Sequence, residues 1–214
     1  MNSSGSSEIH DICSLINTID EISKNECQVP PDLIFFILYL LSINKRIGRS
    51  QISTVFGFSE YYVRRALKCL KDKAYILQTG KIKSLEENLL SVLKSIRIRE
   101  AFLLRGMNAW ERIIIIFIAQ SCKRRISLKE TVMLRDSAIR WGAEGSIILQ
   151  YCNMETNIPG IEDLSIRNEI EKEIKKELQK LENGLYIIIG MNYKEREMSV
   201  VYGILKTACE LSLI

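Results

Sequence analysis

The sequence predicts an α+β protein with two parts, a helical N-terminal part that ends in a strand pair and a small α/β domain. Two patterns support this prediction. Apolar residues recur at helical spacing through the first half, whereas the second half alternates β-branched runs of strand length with amphipathic helices. The chain has 214 residues, which is enough for two small domains. With 47% apolar and 26% charged residues, its composition is typical of globular proteins.

Four segments are predicted along the chain. Residues 1–29 form an N-terminal extension with an amphipathic helix over Glu8–Lys24. Residues 30–84 begin with a helix over Pro31–Ile43 that is apolar nearly all round, as expected of a core helix. Residues 85–106 hold a linker helix, which Ser84 caps and which runs to about Ile98, and then a linker or strand, and residues 107–214 form the α/β domain.

The stretch from Ile47 to Lys83 gives the strongest functional signal. Apolar residues at i, i+3 and i+4 predict a short helix that ends at Gly57, and Ser59 is a suitable N-cap for a second helix. That second helix has an apolar inner face and a cationic outer face. The inner face is Val63, Ala66, Leu67 and Leu70, and the outer face is Tyr61, Arg64, Arg65, Lys68 and Lys71. A strand over Ala74–Thr79, a turn at Gly80 and a return strand over Lys81–Ser84 are predicted to follow.

This order of elements resembles the winged variety of the helix-turn-helix. In that family the second helix enters the DNA major groove, and the hairpin, called the wing, contacts phosphates or the minor groove. The charge supports this interpretation, because ten basic and two acidic residues lie between Lys45 and Lys83 and give the segment +8, whereas the whole chain carries +4. Double-stranded DNA is therefore the predicted partner, although many winged helices bind proteins instead.

The resemblance assigns individual contacts. The residues predicted to read bases are Ser59, Tyr61, Tyr62, Arg64 and Arg65. The residues predicted to hold phosphates are Arg49, Ser50, Gln51, Lys68, Lys81 and Lys83.

The cysteine pattern and the hydropathy exclude several classes of protein. Six cysteines (Cys13, Cys27, Cys69, Cys122, Cys152 and Cys209) include no C-x-x-C pair, and His10 is the only histidine, which argues against a metal site built from local motifs. No apolar run approaches the roughly 20 residues that span a bilayer, and the first residues lead us to expect no secretory signal. A cytoplasmic protein without cofactor or metal is expected. Its cysteines are then most simply free thiols, with a disulfide or redox sensor as the alternative.

The second half predicts alternating elements. The predicted strands are Ile113–Ala119, Ser146–Tyr151 and Leu185–Met191, with a turn and short return strand over Asn153–Pro159. The predicted helices are Leu128–Trp141, Ser165–Glu182 and Lys194–Leu213. Apolar strands of this kind are expected to be covered by the helices.

A second candidate site lies in the sequence RDSAIRWGAEG, from Arg135 to Gly145. It resembles a pattern, R-D-x-A-I-R-x-G-A-x-G, of an archaeal family of winged-helix regulators with an uncharacterised α/β domain. Arg135, Asp136, Arg140, Gly142 and Gly145 are candidates to bind a small anionic effector. Equally, Gly142 fits a helix C-cap, and Arg140 fits the negative end of that helix.

The predicted function is that of a transcriptional regulator and not of an enzyme. The winged helix would bind operator DNA, while the α/β domain would dimerise the chain or sense an effector, and a homodimer would read two half-sites. Two alternatives remain open. One is an enzyme of the archaeal kinase type that carries a regulatory winged helix, and the other is a winged-helix module for protein interaction.

Overall fold

The computed structural model describes residues 11–43, 48–73, 75–79, 82–85, 87–101, 112–119, 124–178, 181–192 and 197–214. The chain divides into two compact units, Met1–Lys94 and Ser95–Ile214, which are treated separately below. Helices and strands occur in both, which confirms the predicted α+β class.

The first unit consists of helices followed by one hairpin. Its elements are α1 (Ile12–Glu21), a π-helical turn (Ile22–Cys27), α2 (Pro31–Ser42), α3 (Arg49–Phe56), α4 (Glu60–Asp72), β1 (Ile76–Thr79), β2 (Ile82–Leu85) and α5 (Glu87–Lys94). Asp11 caps α1, because its carboxylate accepts the backbone N–H of Ser14 at 2.7 Å while the Ser14 hydroxyl accepts the N–H of Asp11. The predicted start of this helix at Glu8 lies outside the described residues.

The helix α2 is the core of the first unit. Eight consecutive residues, from Leu33 to Leu40, are buried, which confirms the prediction of an all-round apolar core helix. Proline at its first position costs no hydrogen bond, because that N–H has no partner within a helix. It contacts α1, α4, α5 and β2, so these elements are held around one apolar centre.

Two short helices, α3 and α4, pack against each other through a tight turn. Gly57 has a φ of 69°, a conformation that glycine adopts without steric cost, and it ends α3 as predicted. Ser59 is the N-cap of α4, as predicted, and its hydroxyl accepts the N–H of Tyr62. Val63, Ala66 and Leu70 are buried along the inner face of α4.

The strands β1 and β2 form an antiparallel hairpin in which Ile76 pairs with Leu85. The predicted turn residue Gly80 lies outside the described residues. The helix α5 begins at Glu87 and ends at Lys94, so it is shorter than predicted. The first strand of the second unit then begins at Ile96.

The second unit is a five-stranded antiparallel sheet covered by helices. Its elements are β3 (Ile96–Ala101), β4 (Arg112–Ala119), α6 (Leu128–Trp141), β5 (Gly145–Cys152), β6 (Glu155–Asn157), α7 (Leu164–Leu178), β7 (Gly184–Met191) and α8 (Glu197–Glu210). The strand order is β3-β4-β7-β5-β6, and the pairs are antiparallel. The strand β7, which is the last strand in the sequence, thus lies at the centre of the sheet.

Both faces of the central strands are buried. On one face, Ile115, Phe117 and Ile188 pack with Ile170 and Ile174 of α7. The residues that alternate with them point to the other face, and the whole of β7 is buried. This pattern explains why the strands appear in the sequence as continuous apolar runs.

The helices α6 and α8 pack closely against each other. The hydroxyl of Ser137 donates to the carbonyl oxygen of Gly203 at 3.1 Å and accepts from Thr207 at 2.8 Å. Gly203 lies against the indole of Trp141, so closely that an added Cβ would collide with the ring. The contact between these helices therefore requires a residue without a side chain at position 203.

Candidate nucleic-acid interface

The exposed face of α4 carries the aromatic and cationic residues that were predicted to contact DNA. Tyr61 is 62% exposed and Tyr62 is 40% exposed, and their rings pack edge to face with centroids 5.5 Å apart. Arg64 and Lys68 are exposed one and two turns further along the helix. Since the inner face of α4 is buried, these side chains project away from the core of their unit.

Arg64 forms an ion pair with Glu60 one turn earlier. The closest distance between the guanidinium and the carboxylate is 2.7 Å, and both side chains are half-exposed or more. The hydrogen bond from Arg64, followed by its charge, lowers the pKa of Glu60 below the ordinary value of a glutamate. A pair so open to solvent is weak, so Arg64 can leave Glu60 for a stronger acceptor.

Arg65 is held by the N-terminal extension. Its guanidinium donates to the side-chain oxygen of Gln28 at 2.6 Å and to the hydroxyl of Tyr61 at 3.0 Å. Arg65 is accordingly half-buried, unlike its neighbour Arg64. Arg64 and Arg65 were both predicted to read bases, but they differ in exposure and in hydrogen-bond partners.

Two further contacts join the same extension to α4. Cys27 and Cys69 form a disulfide, and Lys73 pairs with Glu26 at 2.5 Å. The hydrogen bond that Lys73 donates to Glu26 is the largest cause of the raised pKa of Lys73. Together with the contact between Gln28 and Arg65, these links connect three consecutive residues of the extension to two residues of α4 and its C-cap, spaced four apart. We call this set the α4 clamp: Glu26, Cys27 and Gln28 with Lys73, Cys69 and Arg65.

The prediction that the cysteines are free thiols is wrong. Besides Cys27 and Cys69, residues Cys13, Cys152 and Cys209 are disulfide-bonded, and no described cysteine is free. Cys122 lies outside the described residues. The error has a physical cause, since spacing along the sequence does not reveal which cysteines the fold brings together.

The remaining predicted DNA contacts are described in part. Arg49 and Ser50 are exposed at the start of α3, and Gln51 follows them in the same helix. Lys83 lies in β2, whereas Lys81 lies outside the described residues.

The second candidate site is mainly a structural junction between α6 and β5. Gly142 has a φ of 113° and caps α6, and the N–H of Ala143 donates to the carbonyl oxygen of Ala138 at 3.0 Å. Gly145 begins β5 and pairs with Gly190 of β7. Arg135, Asp136 and Arg140 are exposed on α6. The small residues of the motif thus serve the helix-to-strand turn, and the charged ones face solvent.

A polar cavity of about 540 Å³, which we call the α7 pocket, lies in the second unit at the edge of the sheet. It is formed by the loop before α6, the β5–β6 hairpin and the first turns of α7. Its charged and amide-bearing lining residues are Arg124, Arg125, Gln150, Asn153, Glu155, Asn157, Arg167, Asn168 and Glu171. No motif in the sequence indicates this pocket, because its walls come from separate segments of the chain.

In the described ranges, no group of three or more histidine, cysteine, aspartate or glutamate side chains is arranged to hold a metal ion. No described helix combines the length and the apolar character that crossing a bilayer requires.

The chain is similar to known proteins in part of its sequence and in its fold. Residues 108–210 match a family model described as Domain of unknown function (DUF4443). The fold is similar to that of the hypothetical protein PH0730 from Pyrococcus horikoshii OT3, with a TM-score of 0.62 and 18% identity, over 86% of this chain and 94% of that chain. At this identity the similarity shows a shared fold. No curated protein matches the chain.

Proposed function

We propose that this chain is a transcriptional regulator that binds double-stranded DNA through a winged helix-turn-helix. In this proposal α3 and α4 are the two helices of the motif, α4 is the recognition helix and the β1–β2 hairpin is the wing. The observation that carries the proposal is the outward face of α4, where Tyr61, Arg64 and Lys68 are exposed on a helix whose opposite face is buried. A major groove about 12 Å wide accepts a helix of this kind.

The surrounding charge supports the same proposal. The segment from Lys45 to Lys83 carries ten basic and two acidic residues, although the chain outside it is acidic on balance. Cations that neutralise phosphates release counterions from DNA, and this gives an affinity that falls with salt. Arg49, Ser50, Gln51, Lys68, Lys81 and Lys83 are the proposed phosphate contacts.

Base contacts are proposed for Ser59, Tyr61, Tyr62 and Arg64. Arg64 is best suited to this role, because its weak pair with Glu60 is readily exchanged for the two acceptors on a guanine. Arg65 has a different role in this proposal. Since its guanidinium is occupied by Gln28 and Tyr61, it positions the Tyr61 ring on the surface of α4.

The second unit is proposed to dimerise the chain or to bind an effector. A homodimer would place two copies of α4 on successive major grooves, about 34–36 Å apart, and would read a pseudo-palindromic site. Sedimentation at micromolar concentration with and without a selected duplex tests this stoichiometry.

The experiment that tests the proposal is selection of DNA from a random pool, followed by fluorescence anisotropy with the selected duplex. Arg64→Ala should weaken binding to the selected duplex by about fivefold or more and should flatten the preference over a scrambled one. Lys68→Ala should weaken both duplexes equally and reduce the salt slope by about 1. Arg140→Ala, which removes an exposed arginine from α6, is the matched control and should change neither.

The absence of duplex binding at about 50 mM salt would refute the proposal, since electrostatic affinity is strongest there. That result would favour a winged-helix module for protein interaction. Equal effects of Arg64→Ala and Arg140→Ala would refute the assignment of Arg64 as a base contact.

A further inference from the structure

The α7 pocket in the second unit has the size and the framework of a ligand site. Its volume of about 540 Å³ lies within the range of small-molecule sites, roughly 300–1,000 Å³. It differs from most such sites in its lining, which is largely polar and charged. A lining of this kind suits a small polar ligand better than an apolar one.

The wall that carries Arg124 and Arg125 is fixed by a buried amide. Gln150 is only 4% exposed, and its side chain accepts the N–H of Ile126 at 2.9 Å and donates to the carbonyl oxygen of Arg124 at 2.8 Å. Asn157 of β6 donates to the carbonyl oxygen of Ile126. Because buried hydrogen bonds of this kind are costly to break, the loop before α6 is held in place beside the pocket.

The opposite wall is the beginning of α7, which is also fixed. The carboxylate of Asp163 accepts from the backbone N–H of Ser165 at 2.7 Å and from its hydroxyl at 2.6 Å. The hydroxyl of Thr156 on β6 donates to Glu171 at 2.5 Å and so joins the hairpin to α7. The two walls therefore form a preorganised cavity.

The charged side chains around the pocket differ in how strongly other groups of the protein already pair with them. Arg124 pairs with Glu130 at 2.6 Å and also donates to the carbonyl oxygens of Leu211 and Ser212. Burial opposes the ionisation of Glu171, but hydrogen bonds from Lys175 and Thr156 outweigh it and keep the pKa of Glu171 below its ordinary value. Glu171 is thus an ionised carboxylate whose charge Lys175 already balances.

The side chains of Arg167 and Arg125 are more available to a ligand than those of Arg124 and Glu171. Arg167 donates its Nε–H to the carbonyl oxygen of Ile161, and within the described part of the chain no carboxylate pairs with its two Nη groups. Arg125 pairs with Glu155 at 2.6 Å, but the two side chains are 76% and 71% exposed, so this pair contributes little. One arginine is therefore open to an anion, and a second is released at little cost.

We propose that the α7 pocket binds a small organic oxyanion, a carboxylate or phosphate that pairs with the Nη groups of Arg167. The planar guanidinium matches both kinds of oxyanion with two parallel hydrogen bonds. Arg125 at the rim adds a second cation, and the amide of Asn168 lies one residue from Arg167 to bond the polar body of the ligand. The site is separate from the Arg135–Gly145 motif, and it does not depend on DNA binding.

The test uses the full chain without DNA, at low ionic strength, by titration calorimetry with succinate and with inorganic phosphate. Saturable binding of at least one probe is expected, and the difference between the two identifies the preferred oxyanion. Arg167→Gln should weaken that binding by about 10- to 100-fold, because it removes a charge-assisted pair. Lys94→Gln loses the same charge from an exposed position at the end of α5, in the first unit, and should bind as the parent does.

A second variant changes the affinity in the opposite direction. Glu155→Gln removes the carboxylate that competes for Arg125, so binding should strengthen by about two- to fivefold. Three results would overturn the proposal: neither probe saturates, Arg167→Gln and Lys94→Gln bind alike, or Glu155→Gln weakens binding. Thermal unfolding of each variant checks that loss of binding does not reflect loss of the fold.

Discussion

The disulfide between Cys27 and Cys69 is predicted to stabilise the first unit substantially. The perturbation is the double substitution Cys27→Ala and Cys69→Ala, which removes the bond and avoids placing a polar group at the buried position 27. Alanine at position 69 also keeps a strong helix former in α4.

The magnitude follows from the length of chain that the bond closes. The two cysteines are 42 residues apart. In the chain-entropy model, closing a loop of about this length removes unfolded-state entropy worth about 4 kcal/mol at room temperature. This is a large part of the stability of a small domain, which is typically about 5–15 kcal/mol. The variant should therefore show marginal stability in its first unit.

The assay is native-state hydrogen exchange read by mass spectrometry, because it reports each unit separately. Peptides from α2 and α4 should exchange through openings that are easier by about 4 kcal/mol in the variant. Peptides from α8, in the second unit, are the internal control and should exchange as in the parent. Two results would refute the reasoning. One is a change of less than about 1 kcal/mol in α4, and the other is the alkylation of Cys27 and Cys69 in protein purified without reductant.

Two further predictions concern the second unit. Gly203→Ala should destabilise this unit by about 1–3 kcal/mol, because the added Cβ collides with the Trp141 ring. Denaturant unfolding measures the loss of stability, and an unchanged midpoint would contradict the packing described for α6 and α8. Glu130 accepts a hydrogen bond from the backbone N–H of Ser127, and this bond lowers the pKa of Glu130 in the folded state. The stabilisation by Glu130 is therefore complete above its unfolded-state pKa of about 4.3 and is lost as the pH falls through the lower folded-state pKa. Glu130→Gln should flatten the acid limb of the stability curve below about pH 5, whereas Glu162→Gln on an exposed loop should leave it unchanged, and identical curves for both would be inconsistent with the cap.

The fold could be predicted where local chemistry decides the structure. Ser59 caps α4 and Gly57 ends α3 because a hydroxyl and a missing Cβ act on neighbouring residues. The helix α6 begins at Leu128 and ends at Trp141, as predicted, since Ser127 and Gly142 provide a cap at each end. The strand order β3-β4-β7-β5-β6 was not predicted, because pairing depends on contacts between distant segments.

The candidate sites were less accessible to sequence reasoning. The exposed face of α4 follows from its helical period, but the contact between Arg65 and Gln28 joins residues 37 positions apart and has no local signature. The α7 pocket is similar in this respect, since Gln150 and Arg167 belong to different elements and their roles depend on the backbone carbonyls beside them. Periodicity identifies which face of a helix is exposed, but not what the rest of the chain places over it.

The α4 clamp has a practical consequence for any attempt to isolate the part of this molecule that is proposed to contact DNA. A fragment that begins at Pro30 would retain the three helices and the hairpin, yet it would lack Glu26, Cys27 and Gln28. Cys69 would then be an unpaired thiol, Arg65 would lose its hydrogen bond to Gln28, and Lys73 would lose its ion pair with Glu26. Trimming at the apparent boundary of the motif would thus alter the surface of interest, so a fragment meant to preserve that surface has to include Glu26, Cys27 and Gln28.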